Sequence, residues 1–198
     1  MAERSLRSGK ATGGRHLRKC KGCGKRYKRT PDQPPFQSWC SIDCGIVVAR
    51  ERQAKARRKD TRQRKESLKT KAQVARETQY EFNRFIRARD HDQPCISCGK
   101  HHNGQYHAGH YLTTKARPEL RFNEIGCHKQ CQPCNTHLSG DITNYRRRLI
   151  EKIGLPLVEW LEGPHPTPVK WTIDELKALK KYYRQRANEA IKYSEGMV

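Results

Sequence analysis

The chain alternates between stretches with no usable apolar rhythm and short stretches that carry one. Residues 1–18 are Gly, Ser and Arg-rich with scattered apolar positions, which predicts a disordered basic tail. From Ile46 to Asp90 there is no Pro and no Gly, and Ala, Arg, Lys, Gln and Glu dominate, so a long exposed helix is expected over 46–90. Its apolar positions are too sparse for a sustained heptad until Val74, Phe82, Phe85 and Ile86, which could dock on the next domain. QYHAGHYLTT, residues 105–114, reads as a strand interrupted by Gly109. Helical rhythm returns in DITNYRRRLIEKIG, PLVEWLE and, after the break GPHPTP, in WTIDELKALKKYYRQRANEAIKY. Thr172 and Glu175 form a capping box for that last helix. Leu176, Leu179, Lys180, Tyr183 and Ala187 make a partly apolar stripe suited to core packing or to a dimer.

The cysteines change this picture, because eight of the nine fall in close pairs. Cys20 and Cys23 are followed by Cys40 and Cys44, and Cys95 and Cys98 precede Cys131 and Cys134. Four thiolates in two close pairs suit tetrahedral zinc, and a segment such as 19–45, with no core of its own, would take its folding energy from the metal. Tyr27, Phe36 and Trp39 are expected to cap that knuckle. The second quartet would close the loop-rich excursion between its two halves. The reading is therefore a small α+β protein: a tail (1–18), an N-terminal four-cysteine zinc knuckle (19–45), a long basic helix (46–90), a zinc-stapled core (91–141) and a C-terminal helical region (142–198).

Charge separates docking from chemistry. The formal net charge is +22, an excess that calls for a polyanionic partner, nucleic acid first. Lys and Arg outnumber acids by eleven to three in 1–45 and by fifteen to six in 46–90, but only by five to four in 91–141 and eleven to seven in 142–198. Arg57, Arg58 and Lys59 on the basic helix, and Arg146, Arg147 and Arg148 beside the core, are candidate phosphate contacts, with a solvated spacer or face as the competing reading for each set. No stretch is long and apolar enough for a membrane span and the N-terminus lacks a signal-peptide centre, so a cytoplasmic protein is expected.

A CxxC pair, a GHY strand and CxxCN heading a helix resemble the His-Me finger nucleases of the HNH and recombination endonuclease VII type. Closer still, FIRARDHDQPCISCG, AGHYLTT, LRFNE and HKQCQPCNTHLSG resemble the NinG (Rap) family of lambdoid phages over residues 80–198, and more loosely over the N-terminal knuckle. The resemblance implies a ββα-metal core, structural zinc, and Mg-dependent cleavage of branched recombination intermediates such as Holliday junctions and D-loops. Phage recombination proteins are the partners it suggests, and a homodimer is expected because resolving a junction takes two nicks. By match to the family's strand histidine, His110 is the candidate general base. Asn135, fused to a zinc cysteine, offers a hard amide oxygen to Mg or Mn.

His107 stands where related enzymes often carry an Asp ligand. Imidazole suits Mn better than Mg, so either His107 binds the softer ion or a carboxylate such as Asp141 or Glu124, or water, completes the site. On an unbroken strand 107 and 110 face opposite sides, so sharing one metal would need a bulge at Gly109. Asn123 would brace His110 or simply shape a turn. His137 is a weaker site candidate, with phosphate contact as its role; Cys127 and His128 are expected to pack, and His101 and His102 to form a polar hairpin tip. A non-catalytic zinc-finger DNA-binding protein and an HNH nickase acting on ordinary duplex are the alternative functions.

Overall fold

A computed structural model describes residues 17–30, 33–166 and 170–196. The expected disordered tail thus falls almost wholly outside the described residues. The chain forms two compact units, 1–68 and 69–198.

In the first unit, β1 (Arg18–Lys19) and β2 (Arg26–Tyr27) pair antiparallel around the Cys20–Cys23 turn. Helix α1 (Ile42–Ser67) follows, with the Ser41 hydroxyl accepting from the Cys44 amide at 3.3 Å as its N-cap. The expected apolar cap forms only in part. The Tyr27 hydroxyl donates to the Gln37 carbonyl and Trp39 closes over Gly45, where a Cβ would lie 2.9 Å from the indole nitrogen, but Phe36 is 78% exposed. Val48 is buried, and every residue of α1 from Ala49 to Lys65 is exposed.

The long helix expected over 46–90 is two helices. α1 ends at Ser67, and α2 (Lys71–Arg89) starts afresh in the second unit. No helix breaker intervenes. Thr70 leaves the helical conformation to act as N-cap, its hydroxyl accepting from the Gln73 amide while the Gln73 side chain accepts from the Thr70 amide. From there the apolar positions Phe82, Phe85 and Ile86 are buried against Tyr183 and Ala187 of α5 (Ile173–Ser194). The C-terminal stripe is therefore core packing, and the Thr172 and Glu175 capping box is present.

The remaining elements surround one hairpin. β3 (Tyr106–His110) pairs antiparallel with β4 (Cys127–Cys131) in a continuous register from Tyr106 opposite Cys131 to His110 opposite Cys127. There is no bulge at Gly109. The hairpin's Cys127 and Ala108 pack with the α2 and α5 aromatics. A second core joins Ile96, Tyr111 and Leu120 to Tyr145 and Leu149 of α3 (Ile142–Ile153) and to Val158 and Leu161 of α4 (Leu155–Glu162). Tyr145, fully buried, donates its hydroxyl to the Gly109 carbonyl at 2.8 Å, so α3 is tied to the hairpin near its middle. Among the described residues no helix is long and apolar enough to cross a membrane.

Candidate functional site

Both cysteine quartets converge. The four sulfurs of Cys20, Cys23, Cys40 and Cys44 lie within 4.8 Å of one another, and so do those of Cys95, Cys98, Cys131 and Cys134. Contacts of 3.6 Å for Cys23 with Cys40 and for Cys40 with Cys44, and of 4.0 Å for Cys98 with Cys131, bracket the spacing of about 3.8 Å that tetrahedral Zn–S bonds of about 2.3 Å require. Backbone amides point at the sulfurs: Gly22 and Cys40 donate to Cys20 Sγ at 3.4 Å, and Cys131 donates to Cys95 Sγ at 3.3 Å. Such donors favour thiolates, so the donor sets fit two zinc ions. His102, expected at a polar hairpin tip, instead places Nε2 3.2 Å from Cys98 Sγ, held there by its own amide's hydrogen bond to the Tyr106 hydroxyl at 2.7 Å. Cys127 is apart from both clusters, fully buried, with burial pushing its thiol far up.

The second cluster positions a polar cleft. Cys131 ends β4 and Cys134 sits in the π-turn Pro133–His137, so the metal would fix Asn135, one residue further on, beside His107 of β3. There Asn135 Nδ2 is 2.9 Å from His107 Nδ1. Asn83 and Arg87, one turn apart on α2, join Gln105, Tyr106, His107, Ala108 and Asn135 around a space of about 450 Å³. Among the described residues, the donors lining it are an imidazole and three side-chain amides, with no carboxylate. That set fits a borderline cation such as Mn better than Mg, which would keep most of its own water. Nothing in the sequence of α2 marks Asn83 and Arg87, among its many polar residues, as the ones that line this space.

His110 leaves the strand on the opposite face from His107. Its ring lies 5.8 Å from that of Phe82, and its Nε2 is 3.0 Å from the Arg121 carbonyl, which can only accept. The proton therefore sits on Nε2 and the lone pair on Nδ1. Burial lowers the His110 pKa, although the carbonyl contact works the other way, so the ring is neutral at pH 7. Asn123 shapes the loop that supplies this carbonyl: its Oδ1 accepts from the amides of Ile125 and Gly126 at 2.9 Å each, and the Tyr111 amide in turn donates to the Gly126 carbonyl. It is a turn residue, acting on His110 only through the backbone.

Other expected site residues have protein partners. Glu124 is paired with Arg186, and Asp141 begins α3 and accepts from Asn144 Nδ2 at 2.9 Å, and neither lines the cleft. His137 is exposed at the end of the π-turn. Arg146 forms a two-pronged pair with Glu162 at 2.7 and 3.0 Å, and Arg148 donates to the Ser97 carbonyl, which leaves Arg147 as the exposed member of that trio. His128 is buried in a network with Arg89, at 2.9 Å, and Asp90, at 3.4 Å. Burial alone would raise the Asp90 pKa, but hydrogen bonds from His128 and Arg89 hold it far below the usual carboxylate range. This network braces the strand: Asp90 accepts from the Lys129 amide and Arg89 donates to the Cys127 carbonyl.

Residues 14–194 match the family model described as Bacteriophage Lambda NinG protein. The chain is similar to the protein ninG of Escherichia phage lambda, 42% identical over 171 residues, covering 77% of this chain and 83% of the relative. Similarity to the protein ninG of Salmonella phage P22 is 41% over 171 residues, covering 77% and 84%. That of Escherichia phage 933W is 38% identical over 192 residues, covering 87% and 92%. No solved structure matches.

Proposed function

Since the chain belongs to the NinG family of lambdoid phages, we propose that it is a metal-dependent endonuclease of the His-Me finger type that cuts branched recombination DNA. The observation that carries this reading is the 2.9 Å contact of His107 with Asn135 in an open polar cleft beside a zinc-compatible quartet. A structural zinc knuckle needs neither residue. His107 and Asn135 would hold a divalent cation, Mn or Mg, in place of the hydrogen bond that Asn135 Nδ2 donates to His107 Nδ1, and the ion when bound offsets charge developing on the scissile phosphate. Arg87 is the cleft's cation for a neighbouring phosphate.

His110 acts as general base through Nδ1. It takes a proton from water as the water oxygen bonds to phosphorus and the phosphorus–oxygen bond of the leaving nucleotide breaks. The continuous register puts His110 and His107 on opposite faces, so the phosphodiester is engaged across the free edge of β3, where no third strand intervenes among the described residues. Paired nicks on a junction take two such sites, and the active form is proposed to be a homodimer.

The test is cleavage of a four-way junction and a sequence-matched linear duplex with Mg or Mn. Wild type is expected to cut the junction preferentially, and His110→Ala to lower the rate about 100-fold or more. No cleavage with either metal would refute the enzyme reading, and equal cutting of both substrates would refute the preference for branched DNA.

A further inference from the structure

The helix α1 is long and almost wholly exposed. From Arg50 to Lys65 it carries nine Lys and Arg against Glu51 and Asp60, and no residue in that span is buried. A helix polar on all sides gains nothing from a core. Its cations also crowd one another: Lys55 and Lys59, and Arg58 and Arg62, stand one turn apart, a spacing at which like charges repel. A polyanion along the helix would relieve that repulsion and gain from released counterions.

Spacing selects the side. Arg52, Lys55, Lys59 and Arg62 follow one another by three, four and three residues, which aligns them in one stripe. Counting back by fours, the stripe leads to Val48, the buried residue of α1, and to Cys44, through which the helix enters the first metal cluster. The stripe therefore begins at the zinc-compatible knuckle and runs along the same side of the helix. Arg50, Arg57 and Arg64, spaced by sevens, lie on the opposite side, where Arg64 pairs with Asp60 at 3.0 Å. Consecutive residues leave a helix about 100° apart, so Arg57, Arg58 and Lys59 cannot act together as one contact.

We propose that the Arg52, Lys55, Lys59 and Arg62 stripe of α1 is a duplex-DNA docking surface that grips the phosphate backbone without reading sequence. The choice of DNA rests on the endonuclease reading; the stripe itself rests on charge and spacing. It docks a duplex arm, and the chemistry belongs to the hairpin in the other unit.

The test compares binding of the full-length, zinc-loaded chain to a fluorescent linear duplex, without added Mg or Mn, between 50 and 200 mM salt. The stripe variant carries Lys55→Gln, Lys59→Gln and Arg62→Gln, and the control carries Arg50→Gln, Arg57→Gln and Arg64→Gln; glutamine keeps the helix propensity. Loss of three phosphate contacts lowers the salt slope by about 2.7, so wild type is expected to lose about 40-fold more affinity over this range than the stripe variant. The control should follow wild type. Equal losses in both variants, or none in either, would overturn the stripe. His110→Ala should keep the stripe's salt dependence, so a chain that binds in this way but never cleaves refutes the endonuclease and leaves the docking surface standing.

Discussion

Gly109 lies between the two histidines of β3, and its replacement by alanine tests why the strand takes its course. A Cβ there would lie 2.1 Å from Gln130 Oε1 and 2.9 Å from Gln130 Cβ and Cδ. Gln130 cannot retreat freely, because it is 1% exposed and its Nε2 donates to Ser97 Oγ and to the Gly140 carbonyl, both at 2.6 Å. Either the strands separate or Gln130 gives up those bonds. Overpacking costs about 1–3 kcal/mol, and each buried polar group left unsatisfied about 1–3 more. Alanine returns at most about 1 kcal/mol through the entropy of the unfolded chain. Gly109→Ala is therefore expected to destabilise by about 3–5 kcal/mol, read as a lower midpoint at unchanged slope in urea unfolding of the zinc-loaded protein. Gly109→Ala with Gln130→Ala should be less destabilised than the sum of the two single variants, because the clash is then gone. Strictly additive effects, or a Gly109→Ala variant within about 1 kcal/mol of wild type, would refute the close-approach account.

The metal centres and the buried charges give three more tests. Chelating zinc, or replacing Cys134 by Ser, should unfold the hairpin end of the second unit, since apparent binding energies of structural zinc are about 10–16 kcal/mol; retained amide protection at Gln130 and Cys131 in the metal-free chain would contradict this. The lowered pKa of His110 means the base stays unprotonated below the ordinary histidine value of about 6.5, so the single-turnover cleavage rate should be level at neutral pH and fall only below it. A fall already beginning at pH 7 would exclude His110 as the base. Asp90 has its folded-state pKa depressed, so its contribution to stability is present above about pH 4 and is lost as pH falls through the folded value. His128, also depressed, adds an earlier loss beginning near about pH 6.5, because the unfolded chain takes up that proton first. Urea midpoints followed from pH 7 to pH 3 should show the His128 loss and the onset of the Asp90 loss, and Asp90→Asn should flatten the lower one.

Much of the fold is legible in the chain itself. Cysteine spacing determined both quartets, because two or three residues between thiols suffice to close a turn on one metal. Composition determined an exposed basic helix, and the apolar positions of α2 and α5 determined which faces meet. The break at Thr70 was also written in the chain, as a Thr followed three residues later by Gln, although the absence of Gly and Pro concealed it. Other features depend on distances between segments far apart in sequence. Only the tertiary structure decided that Gly109 gives room to Gln130 rather than to a bulge. It alone decided that His107 meets Asn135 while His110 turns to the Arg121 carbonyl, and that Arg146, Arg148 and Glu124 have partners within the protein. Local spacing specifies what one segment can present; which group meets it depends on how the hairpin, α2 and α3 share their buried volume.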